Sequence, residues 1–460
     1  MKKTKILLFL FVALTLLVSA CGGAAKTTEA PATEAPATEA PATEQPGTAQ
    51  PLEEGPVEIV YWSLWNEGEP QVEVLKKWMD GYTQLHPNVT FNVTWAGREI
   101  LTKVQTALSG GERIDLIDHE GPAIRGALVV KGLTLPLDQY LDMDAYDGGG
   151  KFRDLFIPGS LEALAAPDGS IHVVPYTIIT TGFFTNKDIL NKAGVTTDPE
   201  TWDEFVTDLQ KIQDSGVTPI AQDGQIDFYN AMWYYTLVQR LKGTGFLKAA
   251  AEDKSGEAWG DPAFLQAAKM SREPWEKGYI PEASKGYVWP AGQLELAVGN
   301  AAMELVGSWL PNEVKDTAGP DFNWGFFPLP NVEGGAGKRT DMEIYPLGWA
   351  IMKDAKNPDV IGDFIRFSFK KENAQMIPDV AVNMSAHKYT TPPEDLAEAW
   401  QYWSNATSYY LPYDGINSEY PDYYKNTFLL HFQKMFIGEI TPEKFIENMK
   451  KGTADYWASQ

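Results

Sequence analysis

Between Val57 and Asp118 the chain alternates between two hydrophobic periods, and that alternation restricts the folds open to it. Val57 to Trp62 reads as a strand. Pro70 then falls where its missing N–H costs nothing, in the first turn of a helix. Val74, Leu75, Trp78, Met79, Tyr82 and Leu85 mark one face of that helix. Val89 to Trp95 alternates as a second strand, Ile100 to Leu108 suits a second helix, and Ile114 to Asp118 is a short third strand. Strand, helix, strand, helix, strand is the order of a parallel sheet covered by helices, the α/β class. Such sheets take their ligands beyond the carboxyl ends of the strands.

Further signals continue the pattern. Thr201 and Glu204 have capping-box spacing ahead of Trp202, Phe205, Leu209 and Ile212. Asn357-Pro358 opens a helix with Val360, Ile361, Phe364 and Ile365 inward, whereas residues 375 to 427 are rich in Tyr, Pro and Asn and show no clear period. From Pro56 onward there are about 400 residues, enough for two domains. The chain carries 15 Trp, 20 Tyr and 21 Phe; most must be core, but several tryptophans sit beside polar, loop-like stretches.

The first residues read as an address. Lys2, Lys3 and Lys5 precede an apolar run from Ile6 to Val18, interrupted only by Thr15. That run is shorter than the roughly 20 residues that span a bilayer. Val18-Ser19-Ala20-Cys21 resembles the bacterial lipobox, which implies cleavage before the cysteine and lipidation of Cys21, the single cysteine of the chain. Residues 1–20 are thus expected to be a signal peptide, and no internal disulfide can form. Residues 28–46, TEAPATEAPATEAPATEQP, have no large apolar side chain to bury, so 21–55 is expected to be an extended tether. The net charge of −24 repels phosphate backbones and argues against nucleic acid as a partner. No other apolar stretch approaches spanning length, so the body is expected to be soluble and held at the membrane by its lipid.

Catalytic motifs are sparse. His86, His119, His172, His387 and His431 include no pair at metal-binding spacing, and without cysteine partners neither a metal nor a cofactor is expected. There is no G-x-S-x-G. Gly334-Gly335-Ala336-Gly337-Lys338-Arg339 resembles a phosphate loop, but Val332 replaces its first glycine and Arg339 its Ser or Thr, so a flexible loop is expected. Asp142, Asp144 and Asp147 depart from calcium-loop spacing and read as a solvated acidic turn. The abundance of carboxylates leaves one alternative, a carbohydrate-active enzyme using two of them in a cleft.

Five landmarks together resemble extracellular solute-binding protein family 1, the sugar-binding receptors of ABC importers similar to maltose-binding protein. They are Val57 to Trp62 as the opening strand; Gly110 to Ile117, with Ile114 in place of the family's usual proline; and Pro175-Tyr176 followed by Asn186 to Leu190. Then come Ala302-Met303 with Gly307-Ser308-Trp309, and Gly348 to Ile351 followed by Lys356-Asn357-Pro358. The resemblance implies a periplasmic-binding-protein-like fold of two α/β lobes with the ligand between them. One lobe is expected at 56–176 and 346–376, the other at 177–345 and 377–460.

It also implies a site. A sugar ring has an apolar C–H face that an indole covers and a rim of hydroxyls that carboxylates, amides and guanidinium groups bind. Trp65, Asn66 and Glu67 follow the first strand; Arg98, His119 and Glu120 follow the next two. Tyr229, Asn230 and Trp233 match a helix start that faces the cleft in relatives, Trp289 and Trp309 are the expected stacking platforms, and Tyr176 and Tyr345 lie near the crossings. The function implied is non-enzymatic capture of a sugar by a monomeric, extracytoplasmic lipoprotein that serves an ABC permease. A sensory receptor of the same fold is a further alternative.

Overall fold

The computed structural model describes residues 55–460; the leader, Cys21 and nearly all of the tether lie outside the described residues. Among the described residues the strands are β1 Val57–Ser63, β2 Val89–Trp95, β3 Leu116–Glu120, β4 Val174–Ile179, β5 Thr181–Asn186 and β6 Thr218–Ile220. They continue with β7 Ala301–Gly307, β8 Trp324–Phe327, β9 Asp341–Glu343, β10 Tyr345–Ile351, β11 Met384–Ser385 and β12 Ser408–Tyr410. The first sheet has the order β11-β4-β10-β3-β1-β2, a second β6-β7-β5-β8, and β12 pairs with β9 in a small third. As the alternation requires, β1 runs parallel to both β2 and β3. The sheet as a whole is mixed, because β10 enters antiparallel to β3 and β4. The helices lie against these sheets, giving the two α/β lobes expected.

The core follows the periodicity. In the helix Pro70–Leu85 the residues Val74, Leu75, Trp78, Met79 and Tyr82 are buried. Leu85, expected on the same face, ends the helix at the surface and is 45% exposed. Thr201 and Glu204 form the capping box of the helix Trp202–Asp214. Val360, Ile361, Phe364 and Ile365 face inward in Pro358–Ser368. Asp142 and Asp144 pair with Arg153 and Lys151 at 2.6 and 2.7 Å. The glycine-rich stretch is not a free loop: Ala336 and Gly337 donate their N–H groups to Leu241 O and Arg240 O, satisfying carbonyls at the end of the helix Asp227–Lys242.

Two of the crossings between the lobes have almost no slack. Thr180 alone separates β4 from β5, and Ile344 alone separates β9 from β10. Thr180 Oγ1 donates to Glu343 O at 3.0 Å, which ties the crossings together. The chain also stays with the first sheet beyond residue 376, where its departure was expected. Met384 and Ser385 pair with Ile178 and Thr177, and the buried Met384 closes that edge.

β10 and β4 shift register between Leu347 and Gly348. A Cβ at Gly348 would stand 2.4 Å from Val174 O and 2.8 Å from Pro175 Cα, all backbone. Gly348→Ala should therefore destabilise the fold by about 1–3 kcal/mol. Urea unfolding checks this, and an unchanged midpoint would contradict the close approach.

Candidate ligand-binding cleft

The carboxyl ends of β1 and β3, the crossing strands and the start of the helix Asp227–Lys242 surround a cavity of about 970 Å³. That is near the upper end of the roughly 300–1,000 Å³ of small-molecule sites. Trp65, in the turn after β1, is fixed from behind. Its Nε1–H donates to Tyr176 Oη at 2.8 Å, and Tyr176 Oη–H donates to Asp118 Oδ2 at 2.5 Å. Asp118 Oδ1 accepts the Leu64 N–H at 3.1 Å, so one carboxylate holds both the ring and its loop. Burial pushes the Asp118 carboxyl above the ordinary range, against hydrogen bonds from Tyr176, Ser63 and Leu64 that favour its anion. The Arg98 guanidinium lies 4.7 Å from the Trp65 ring centre and bonds Leu64 O and Glu69 Oε2, both at 2.8 Å.

Trp309 belongs to the turn after β7. Its ring stacks on Tyr229 at 5.7 Å, and its Nε1–H donates to the Tyr229 hydroxyl at 3.0 Å. A Cβ at Gly307 would come within 2.1 Å of the indole, which explains the glycine two positions earlier. Trp289, 49% exposed, donates to Glu313 Oε2 at 3.1 Å. Tyr345 lies on the floor, its phenol pushed up by burial and then by the nearby Glu120 carboxylate.

Of the site residues implied by the sequence, Trp65, Arg98, Glu120, Tyr229, Trp289, Trp309 and Tyr345 line the cavity. Five others do not line it, and Tyr176 makes a sixth. Asn66 turns outward to bond Glu69 at 2.6 Å, and Glu67 pairs in solvent with Lys76, because the chain reverses at Gly68 (φ +99°) before the helix. His119 is buried, with Nε2 3.2 Å from Arg98 O. Tyr176 is buried behind Trp65. The helix Asp227–Lys242 is covered on nearly every side and turns Tyr229, Met232 and Tyr235 to the cavity. Its buried Asn230 and Trp233 instead bond Gln222, at 2.8 and 3.0 Å.

Several lining residues were not singled out in the sequence. Gln71 Oε1, Asn383 Oδ1 and Asn417 Oδ1 are buried, make no hydrogen bond and belong to side chains on the cavity wall. Such acceptors are complementary to a ligand rich in hydroxyl donors. Glu343, on the floor, accepts from Thr181 Oγ1 at 2.7 Å and from the Tyr235 hydroxyl. A carboxylate inside the apolar run from Met342 to Ile344 was the signal that could have found it.

Residues 67–375 match the profile of the bacterial extracellular solute-binding proteins. The chain belongs to this family. A relative from Brucella suis named "Probable sugar-binding periplasmic protein" is 25% identical over 302 residues, covering 63% of this chain and 66% of the relative. Among solved structures, a chitin oligosaccharide binding protein superposes with a TM-score of 0.72 at 23% identity, covering 88% of this chain and 99% of its own. RafE in complex with raffinose gives 0.65 at 19% identity, covering 87% and 99%. Solute-binding proteins of this family act by binding and work outside the cytoplasm, and in this fold the cleft between the lobes is where a solute fits.

Burial pushes Glu343 from an ordinary 4.5 up to about 7. The folded protein then holds a proton that the unfolded chain releases, so this group's contribution to stability falls as pH rises from about 4.5 to about 7. Glu343→Gln mimics the protonated carboxyl and should remove a fall on the order of 3 kcal/mol. Urea titrations of both proteins at about pH 5 and pH 7 test it; parallel pH dependence would contradict the shift.

Proposed function

We propose that this protein captures a neutral oligosaccharide between its lobes and delivers it to an ABC permease. The observation that carries the reading is one cavity lined by an indole from each lobe, Trp65 after β1 and Trp309 after β7, and by unpartnered amide acceptors. Indoles stack on the C–H faces of sugar rings, and the amides with Glu120 and Glu343 receive hydroxyl protons. The sugar ligands of the chitin oligosaccharide binding protein and RafE support that class. The cavity volume favours more than one ring.

In this reading the first lobe takes residues 56–179 and 345–385, and the second takes the rest. The lobes close on the sugar, and the closed surface is what the permease reads. No bond is broken and no cofactor is used. Cleavage at Ala20 and lipidation of Cys21 hold the monomer at the outer face of the membrane. The repeat that follows is its tether.

Calorimetry against the sugar selected by a thermal-shift screen tests the site. Trp309→Ala should weaken binding by about 2–4 kcal/mol and Glu120→Gln by roughly 1.5–3 kcal/mol, with ligand-free melting nearly unchanged. Normal affinity in Trp309→Ala, or release of hydrolysed sugar by the wild type, would overturn the reading. Separately, Cys21→Ser should move the protein from the membrane to the soluble fraction; equal retention would count against the anchor.

A further inference from the structure

Asn417 and Pro421 line the main cavity and also a second one of about 620 Å³, so the two spaces share a wall. The second is a groove along the helix Ile100–Ser109. Thr102, Gln105, Thr106 and Ser109 face it at spacings of three, four and seven residues, one stripe of the helix surface. Ala123 and Ala127, four residues apart on the helix Gly121–Ala127, leave room for a ring. In a chain of net charge −24, no charged side chain lines this groove. Its chemistry is hydroxyl, amide and methyl, which suits a neutral polyol and offers nothing to a phosphate or an ammonium group.

The hydroxyls are oriented. Thr106 Oγ1 donates to Thr102 O at 3.3 Å and Ser109 Oγ to Gln105 O at 2.8 Å, which leaves their oxygen lone pairs to accept. The facing wall is held in place. Arg125 bonds Glu419 at 2.8 Å, and a Cβ on Gly126 would stand 2.1 Å from Ser418 O. At the junction of the two cavities lies Asn417, whose Oδ1 is buried without a donor.

We propose that this groove is an extension subsite for the sugar rings of a linear oligosaccharide that pass beyond the main cavity at Asn417. The proposal rests on the sugar reading above. Ligand length is then selected outside the lobe-to-lobe sandwich, by neutral groups on the helix Ile100–Ser109.

The test titrates the full chain with xylo-, malto- and chito-oligosaccharides of two to six rings, by calorimetry. In the series that binds, affinity should keep rising in the longest members. Thr106→Glu, which puts a charge into the neutral groove from an exposed position, and Gln105→Ala should each remove that gain. The expected loss is about tenfold, equivalent to 1.4 kcal/mol, for the longest member, with the shortest binding member unaffected. If native protein and both variants bind every length alike, the groove is no subsite and the sugar reading stands. If no series binds the native protein, the sugar reading fails and this proposal with it.

Discussion

Thr180 and Ile344 each carry the backbone across in a single residue, and that constraint places Thr181, Glu343 and Tyr345 in the cleft. Thr180 is locked to Ser308 through its backbone and to Glu343 O through its hydroxyl. Glu343 in turn receives the Thr181 and Tyr235 hydroxyls, so one buried carboxyl joins the first crossing, the second and the helix Asp227–Lys242. The crossing segments themselves therefore supply part of the cavity wall, through Thr181, Glu343 and Tyr345.

The two tryptophans of the cavity wall are held differently. Trp65 is held by a carboxylate, through Asp118 and Tyr176, and capped by Arg98. Trp309 is held by shape, over Gly307 and against Tyr229. Behind Tyr229 the buried Glu304 is pushed well above its ordinary range by desolvation first, then by Asp223 and Glu313.

What the sequence made legible was local. The helix Pro70–Leu85 and the Gly307-Ser308-Trp309 turn declare themselves within a few residues. The fold class follows from the order of periods. The side a residue faces is not local. His119 stands next to Asp118 in β3, where four consecutive residues from Leu116 are buried, so no alternation marks the cleft side. Register with β10 decides it. Asn66 and Glu67 follow the right strand but leave the site at a turn set by Gly68. Asn383 and Asn417 come from a stretch without period, which only packing against the first sheet and the helix Gly121–Ala127 brings to the cleft.

A sugar that bridges two lobes joined at narrow crossings should draw those lobes together. Small-angle X-ray scattering of the same sample with and without the sugar identified by screening tests it most directly. Closure about Thr180 and Ile344 predicts a smaller radius of gyration at saturating ligand. An unchanged radius with the sugar demonstrably bound would contradict it, because the ligand would then be held by one lobe alone.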